Sequence, residues 1–368
     1  MNFVKIVLTG GPCAGKTSAL PRIRAALEPL GWQVITLQET ATELIQAGIA
    51  PWNCGDRRGF QRCRLRLQLE KERAYETAGR GMPAEKVLLV CDRGMLDSLS
   101  YLPREVFAEI LAELGTCEEE QRDACDGVFH LVTAAKGAEA AYAQLAEGAR
   151  IEGLEEAAAL DDKLIAAWTG HNHLRVIDNS TDFEGKMQRL IAEILGLLGE
   201  PEPLEIERKF LIEYPDVARL EALPNCRRVD IEQRYLLRTD GTTARVRRRA
   251  VNGHEVYILT EKRHITNVRR VEVETRLTRA EYEERLREAD PHACPILKAR
   301  YCLTENGRYY EIDVFPAWPD KAFLEIELLD EREEFPFPEG IRVIREVTED
   351  RRYTNYALAH SGMRIKDE

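Results

Sequence analysis

Charged side chains recur two residues apart, in one strand-length segment after another, through the second half of this chain. Glu205, Glu207 and Lys209 alternate in LEIERKFLI, Arg245, Arg247 and Arg249 in ARVRRR, and Thr260 and Lys262 in ILTEK. Arg270, Glu272 and Glu274 follow in RVEVE, Lys298 and Arg300 in ILKAR, Glu311 and Asp313 in YEIDVF, Glu325 and Glu327 in LEIEL. Residues i and i+2 share one face of a strand, about 7 Å apart. Between them stand Ile206, Phe210, Val246, Val271, Val273, Ile312, Val314, Ile326 and Leu328, so the other face is largely apolar. A sheet with its polar side in water alternates in the same way. A merely solvated face, however, mixes Ser, Thr, Gln and Lys instead of sorting acids and bases by strand. Crowded carboxylates repel unless cations sit between them, and crowded Arg and Lys repel unless an anion does. A closed sheet lined by both would hold divalent metals on one wall and a polyphosphate on the other.

The first 200 residues follow another rule. Short apolar runs (VKIVLTG, QVITLQE, KVLLVCD, GVFHLV and HLRVIDN) alternate with helical patterns, among them residues 16–30, 60–79 and 182–198. Such alternation predicts an α/β domain: a parallel sheet with helices on both faces. GEPEPL at 199–204 then breaks the chain, and the period changes to two. The expected domains are residues 1–199 and 204–368, with one helix, TRAEYEERLREAD, interrupting the second. A net charge of −12 argues against a dedicated nucleic-acid or anionic-membrane binder. No run of 18 uncharged apolar residues predicts a transmembrane helix, and MNFVKIVLTGG reads as a buried strand rather than a leader. The nine cysteines form no CxxC pair or Cys/His ligand pattern, so free thiols in a cytoplasmic protein are expected.

GGPCAGKT at Gly10–Thr17 fits the Walker A pattern GxxxxGK[ST], after an apolar strand and before a helical stretch. Gly10, Gly11 and Gly15 let the backbone curl so that N–H groups point inward at phosphates, with Cys13 and Ala14 as small loop residues. The following helix adds the positive end of its dipole. Lys16 is expected to reach the β/γ-phosphates and Thr17 to ligate Mg²⁺. Asp92 ends a Walker B-like strand and is expected at Mg²⁺ or its water shell, unless it caps the next segment. Glu39 ends the second strand at the same edge and could orient a hydroxyl or water. Arg150 could serve as a lid arginine over the transferred phosphate. His171 and His173 read as a loop before the last strand. No NKxD motif appears, which disfavours a Ras-type GTPase and leaves ATP or GTP open.

GGPCAGKT, DRGMLD and DKLIAAWTGHNHLRVIDNSTDFEGK together resemble the P-loop ATPase/kinase family related to the nicotinamide riboside kinase domain of NadR-type proteins. The second half resembles the CYTH, or triphosphate tunnel metalloenzyme, family. Glu205, Glu207 and Lys209 match its ExExK signature, followed in the family's order by RVRRR, LTEKR, RRVEVE, LKAR, EIDVF, FLEIEL and VTEDRRYTNYAL. This resemblance implies an α+β domain with an eight-stranded antiparallel β-barrel, whose charged bore holds a triphosphate and one or two divalent ions. It implies that Glu205, Glu207, Asp313, Glu325 and Glu327 coordinate Mg²⁺ or Mn²⁺, with Glu272 and Glu274 assisting. Lys209, Arg245, Arg247, Lys262, Arg270, Lys298 and Arg300 would hold phosphate oxygens.

The expected activity is metal-dependent hydrolysis of an inorganic or organic triphosphate, beside a nucleotide-binding module with kinase-like character. The same scaffold makes cyclic AMP in class IV adenylyl cyclases, but no distinct purine pocket is legible here. A second reading is a binding protein: a nucleoside triphosphate in the first domain, and an inositol phosphate or phosphoinositide headgroup sensed without turnover in the second. A third makes the first domain the working kinase and the tunnel its sensor.

Overall fold

Five short strands of the first half pair in parallel in the order β2-β3-β1-β4-β5. They are β1 (Asn2–Thr9), β2 (Trp32–Leu37), β3 (Lys86–Asp92), β4 (Gly127–Leu131) and β5 (Leu174–Ile177). Between and after them run α1 (Lys16–Leu27), α2 (Thr40–Gln46), α3 (Arg57–Arg80) and α4 (Arg104–Glu113). There follow α5 (Glu118–Arg122), α6 (Glu139–Ala146), α7 (Leu154–Trp168) and α8 (Phe183–Leu197). This computed structural model describes residues 2–146, 153–200, 206–238, 242–264, 270–328 and 334–364. Its contacts divide the chain into two units, Met1–Glu193 and Ile194–Glu368.

Ile6, Val7 and Leu8 of β1, Val87–Cys91 of β3 and all of β4 are buried, as strands covered on both faces must be. β1 lies between β3 and β4, where the strand order reverses. The loop leaving β1 therefore opens into the crevice where open α/β sheets bind ligands.

The second unit is one antiparallel sheet of nine strands, in the order β10-β9-β8-β7-β11-β12-β13-β6-β14. These are β6 (Ile206–Glu213), β7 (Cys226–Leu236), β8 (Thr243–Val251), β9 (His254–His264) and β10 (Arg270–Leu277). The rest are β11 (Ile296–Glu305), β12 (Arg308–Val314), β13 (Lys321–Leu328) and β14 (Val343–Glu346). Among the described residues three short α-helices accompany it: α9 (Val217–Ala222), α10 (Arg279–Arg285) and α11 (Asn355–His360). Two hairpins turn on Asn-Gly pairs. Asn252-Gly253 joins β8 to β9 and Asn306-Gly307 joins β11 to β12, all four residues with φ between 50° and 83°. Two positive φ values in a two-residue loop match the twist of the flanking strands and fix their register.

The expected α/β and antiparallel architectures are both present. The expected closed barrel of eight strands is not what forms among the described residues: the sheet has nine strands, and edge strands β10 and β14 pair on one side only. The extra strand has a physical role. β14 covers the outer edge of β6, with a register shift between Val343 and Arg345, so that the edge of the sheet is a short, irregular strand.

The two faces differ as the alternation requires. Phe210, Ile212, Tyr301, Tyr310, Ile312, Leu324 and Ile326 pack on one face with Leu220 of α9. Further along, Val246, Tyr257 and Leu259 pack with Tyr282 of α10. On the opposite face Leu211, Tyr235, Ile296 and Phe323 form an apolar end closed by Tyr353 and by Leu358 of α11. Ile312 is fully buried. Ile312→Ala should therefore cost about 3 kcal/mol, read as a lower midpoint of urea denaturation of the full chain. A loss under about 0.5 kcal/mol would contradict this packing.

Candidate functional site

In the first unit the loop from Gly10 to Lys16 wraps the crevice end of β1. Gly10 has φ 144°, and a Cβ there would lie 2.2 Å from the Leu131 carbonyl oxygen, so only glycine fits. Lys16 Nζ donates to the Gly10 carbonyl at 3.0 Å and to that of Gly11 at 3.4 Å, folded back over its own loop. Burial and the like charge of Arg93 lower its pKa to about 8. Cys13 packs against the Ala134, Ala135, Tyr142 and Ala157 cluster as a small loop residue. Ala14 is buried, and Thr17 is exposed at the head of α1.

Carboxylates surround the loop. Asp92 is buried at the end of β3, and burial raises its pKa in spite of Lys16 nearby. Its Oδ1 has no hydrogen-bond partner, a buried orphan among the charges of Lys16, Glu39, Arg93 and Asp97. Glu39 accepts from Arg93 Nε at 2.6 Å; burial pushes its pKa up, but Arg93 and the Thr42 hydroxyl outweigh that and hold it low. Sequence reasoning gave no role to Asp97 or Asp161. Asp97 Oδ1 accepts from the Thr9 hydroxyl at 2.9 Å and Trp168 Nε1 at 2.7 Å, pinning the start of the loop. Asp161 Oδ1 accepts from the Gly11 N–H at 2.9 Å and the Thr133 N–H at 3.1 Å, with His130 Nε2 also 3.1 Å away. Burial opposes its ionisation, yet His130, Lys136 and the Gly11 N–H bring its pKa below the usual carboxylate range.

In the second unit the ladder register decides which side chains meet. Glu325 stands opposite Lys209 and Glu311, Asp313 opposite Arg300 and Phe323, and Glu327 opposite Glu207. Arg247 stands opposite Gln233, Arg245 opposite Thr260, and Thr260 opposite Glu274. Directly opposed residues share a face. Glu207, Lys209, Arg245, Arg247, Glu274, Lys298, Arg300, Asp313, Glu325 and Glu327 therefore all lie on one side. They are joined there by Arg249 and Glu311, for which no role was assigned. Glu205 and Arg150 lie outside the described residues; so do the side chains of Lys262, Arg270 and Glu272, whose backbones occupy β9 and β10.

The centre of this face is buried. Asp313 is 0% exposed, Lys298 5%, Glu325 7% and Lys209 9%. Arg300 donates to Asp313 from Nε and from Nη2, each at 2.7 Å, and reaches Glu325 Oε2 at 2.8 Å and Glu311. Lys298 bonds to Asp313, and Lys209 Nζ lies 2.8 Å from Glu325 Oε1 and 4.1 Å above the Phe323 ring. Arg247 bonds to Glu274 two strands away. Burial favours neutral carboxyls at Asp313 and Glu325, but the Arg300 and Lys charges outweigh it and hold both pKa values low. Burial and the charge of Arg300 lower that of Lys298. Asp313, read as a metal ligand, is fully engaged by cations here.

Glu207 and Glu327 stand directly opposite each other at an exposed part of this face. Like charges so placed destabilise a ladder unless opposite charge reaches them, and carboxylate oxygens are the donors a hard cation takes. Among the described residues no three His, Cys, Asp or Glu side chains gather closely enough to hold a metal alone. Phosphate oxygens would have to complete the shell, as they do around Mg²⁺ held by one or two carboxylates.

Residues 5–186 match the family described as the AAA domain. The first unit is an AAA-like P-loop domain. Among solved structures, the chain is similar to the inorganic triphosphatase NE1496, at 30% identity over 43% of this chain and 96% of that one, TM-score 0.31. It is also similar to the PH1012 protein from Pyrococcus horikoshii OT3, at 19% identity over 35% and 81%, TM-score 0.27. A conserved hypothetical protein from Pyrococcus furiosus is similar at 23% identity over 34% and 80%, TM-score 0.26. No curated protein matches the chain. Among the described residues no helix is long and apolar enough to cross a membrane.

The AAA-like domain makes a pH prediction. Free Lys16 loses its proton near pH 8, and a bound polyphosphate stabilises the protonated form. Nucleotide affinity should therefore fall by up to about tenfold per pH unit above 8, with proton uptake on binding. Calorimetry at pH 7 and 9, in buffers of different ionisation enthalpy, reads both effects. Equal affinity and no proton uptake at pH 9 would contradict this Lys16 environment.

Proposed function

We propose that the charged face of the second unit binds a triphosphate with Mg²⁺ or Mn²⁺ and hydrolyses its terminal phosphate, and that the AAA-like domain binds ATP or GTP. One observation carries the first part: acids and bases from β6, β8, β11, β12 and β13 share one face, its centre buried, instead of pointing into solvent. Burying this many charges is costly, and a face kept only for stability would do as well with apolar residues. Their retention fits a site whose ligands exchange with the internal ion pairs. Phosphate oxygens would replace Glu311 and Glu325 around Arg300, and Asp313 would keep the guanidinium aimed.

Glu207 and Glu327 would hold the metal, with Glu325 beside them on the same face. The ion would supply charge neutralisation on the phosphate chain and a more acidic water. In-line addition of water to the terminal phosphorus breaks its bridging P–O bond, yielding orthophosphate and a diphosphate or organic diphosphate. Lys209, Lys298 and Arg300 stabilise negative charge on the departing oxygen. In the AAA-like domain the loop N–H groups and Lys16 would hold the nucleotide phosphates. Thr17 and Asp92 would hold Mg²⁺, with Glu39 placed to orient a hydroxyl or water.

Phosphate release from tripolyphosphate, thiamine triphosphate, ATP and GTP tests this with Mg²⁺ or Mn²⁺. Glu207→Ala/Glu327→Ala should lower cleavage of the preferred triphosphate by at least about 100-fold, while Lys16→Ala leaves it within about threefold. Wild-type protein that binds these compounds without cleaving any of them would instead make the face a polyphosphate or phosphoinositide-headgroup sensor. Unchanged cleavage in the double variant would place the chemistry elsewhere.

A further inference from the structure

We propose that Gln233 of β7 contacts the ligand on the charged face, its side-chain amide donating a hydrogen bond to a non-bridging phosphate oxygen beside Arg247. This rests on reading that face as a polyphosphate site. Gln233 is 1% exposed, and its Nε2 makes no hydrogen bond of good geometry, although it lies close enough to the Tyr235 hydroxyl to interact with it weakly. A buried amide N–H group left unpaired is rare and unfavourable, so its presence points to a partner that arrives later.

The register locates that partner. Gln233 stands opposite Arg247 on one side and Ile296 on the other. Ile296 and Lys298 are two residues apart on β11, so the amide sits between the arginine strand and the lysine strand, on their face. Tyr235 and Ile296 belong to the apolar end closed by α11. Gln233 thus marks the point where apolar lining gives way to charge. A neutral donor there adds a hydrogen bond to phosphate without burying a further cation between Arg247 and Lys298, which would carry its own desolvation penalty.

The test uses the full chain carrying Lys16→Ala, to silence the phosphate loop, and titrates it with imidotriphosphate and Mg²⁺. The nitrogen bridges of this probe resist hydrolysis and leave the non-bridging oxygens in place. Gln233→Leu should weaken binding about tenfold, the worth of one buried hydrogen bond. Without ligand the same variant should melt at or above the parent temperature, because it removes an unsatisfied amide. Gln233→Glu, nearly the same shape, should weaken binding by at least about 100-fold through like-charge repulsion. Opposite signs on binding and stability are what a merely structural glutamine would not give. Binding within about twofold of the parent in both variants, or parallel loss of stability and affinity in Gln233→Leu, overturns the assignment. If the Lys16→Ala parent fails to bind imidotriphosphate, the polyphosphate reading itself falls and this assignment falls with it.

Discussion

Arg300 and Asp313 hold each other through two hydrogen bonds inside the sheet, and the rest of the second unit is arranged to permit it. Neither charge could be buried alone, since an unpaired ion in such surroundings carries a penalty of several kcal/mol. The pair forms only if β11 and β12 meet in one register, which the Asn306-Gly307 turn sets. Lys298, Glu311, Glu325 and Lys209 then fall within reach as a consequence. A slip of one residue in β12 would bring Ile312 into the charged cluster and Asp313 into the apolar core. Charge pairing and hydrophobic burial therefore select the same alignment, which makes the fold specific as well as stable.

Much of this was legible in the alternation of residues. Ile312 beside Asp313, or Ile326 beside Glu325, can be satisfied only by a sheet with two unlike faces, and the strands carrying the motif residues lie where the charges recur. β7 was missed because CRRVDIEQRYL mixes charge, amide and aromatic residues and shows no single-sign row, although it carries Gln233 and Tyr235. The Asn-Gly pairs at 252–253 and 306–307 are hairpin signals that the sequence carries in plain form. β14 is short and has no charge pattern of its own, so the ninth strand could not be anticipated. In the first unit the Walker A residues were plain. Asp161 was not, because it reaches Gly11 across 150 residues of chain, a tertiary contact with no local signature.

On the proposed reading, the two units would meet phosphate by different physical means. The AAA-like domain uses backbone: a loop whose Gly10 no other residue could replace, steadied by Asp161 and Thr133, with one lysine held at a reduced pKa. The antiparallel sheet uses side chains, and its cations are already neutralised by acids of the neighbouring strands. The first arrangement is a backbone cradle, the second a set of ion pairs. On the proposed reading, phosphate would exchange with these ion pairs. β8 and β12 each present one sign, Arg245, Arg247 and Arg249 on the first and Glu311 and Asp313 on the second, whereas β6 carries Glu207 beside Lys209.

The position of the metal tests the central claim most directly. Crystals of the full chain grown with Mn²⁺ and imidotriphosphate should show an anomalous-scattering peak between Glu207 and Glu327, with phosphate oxygens completing its coordination. Arg300 should still hold Asp313 while its bonds to Glu311 and Glu325 pass to phosphate. A Mn²⁺ peak only at Thr17 and Asp92, with the ion pairs of the sheet unchanged, would contradict the account.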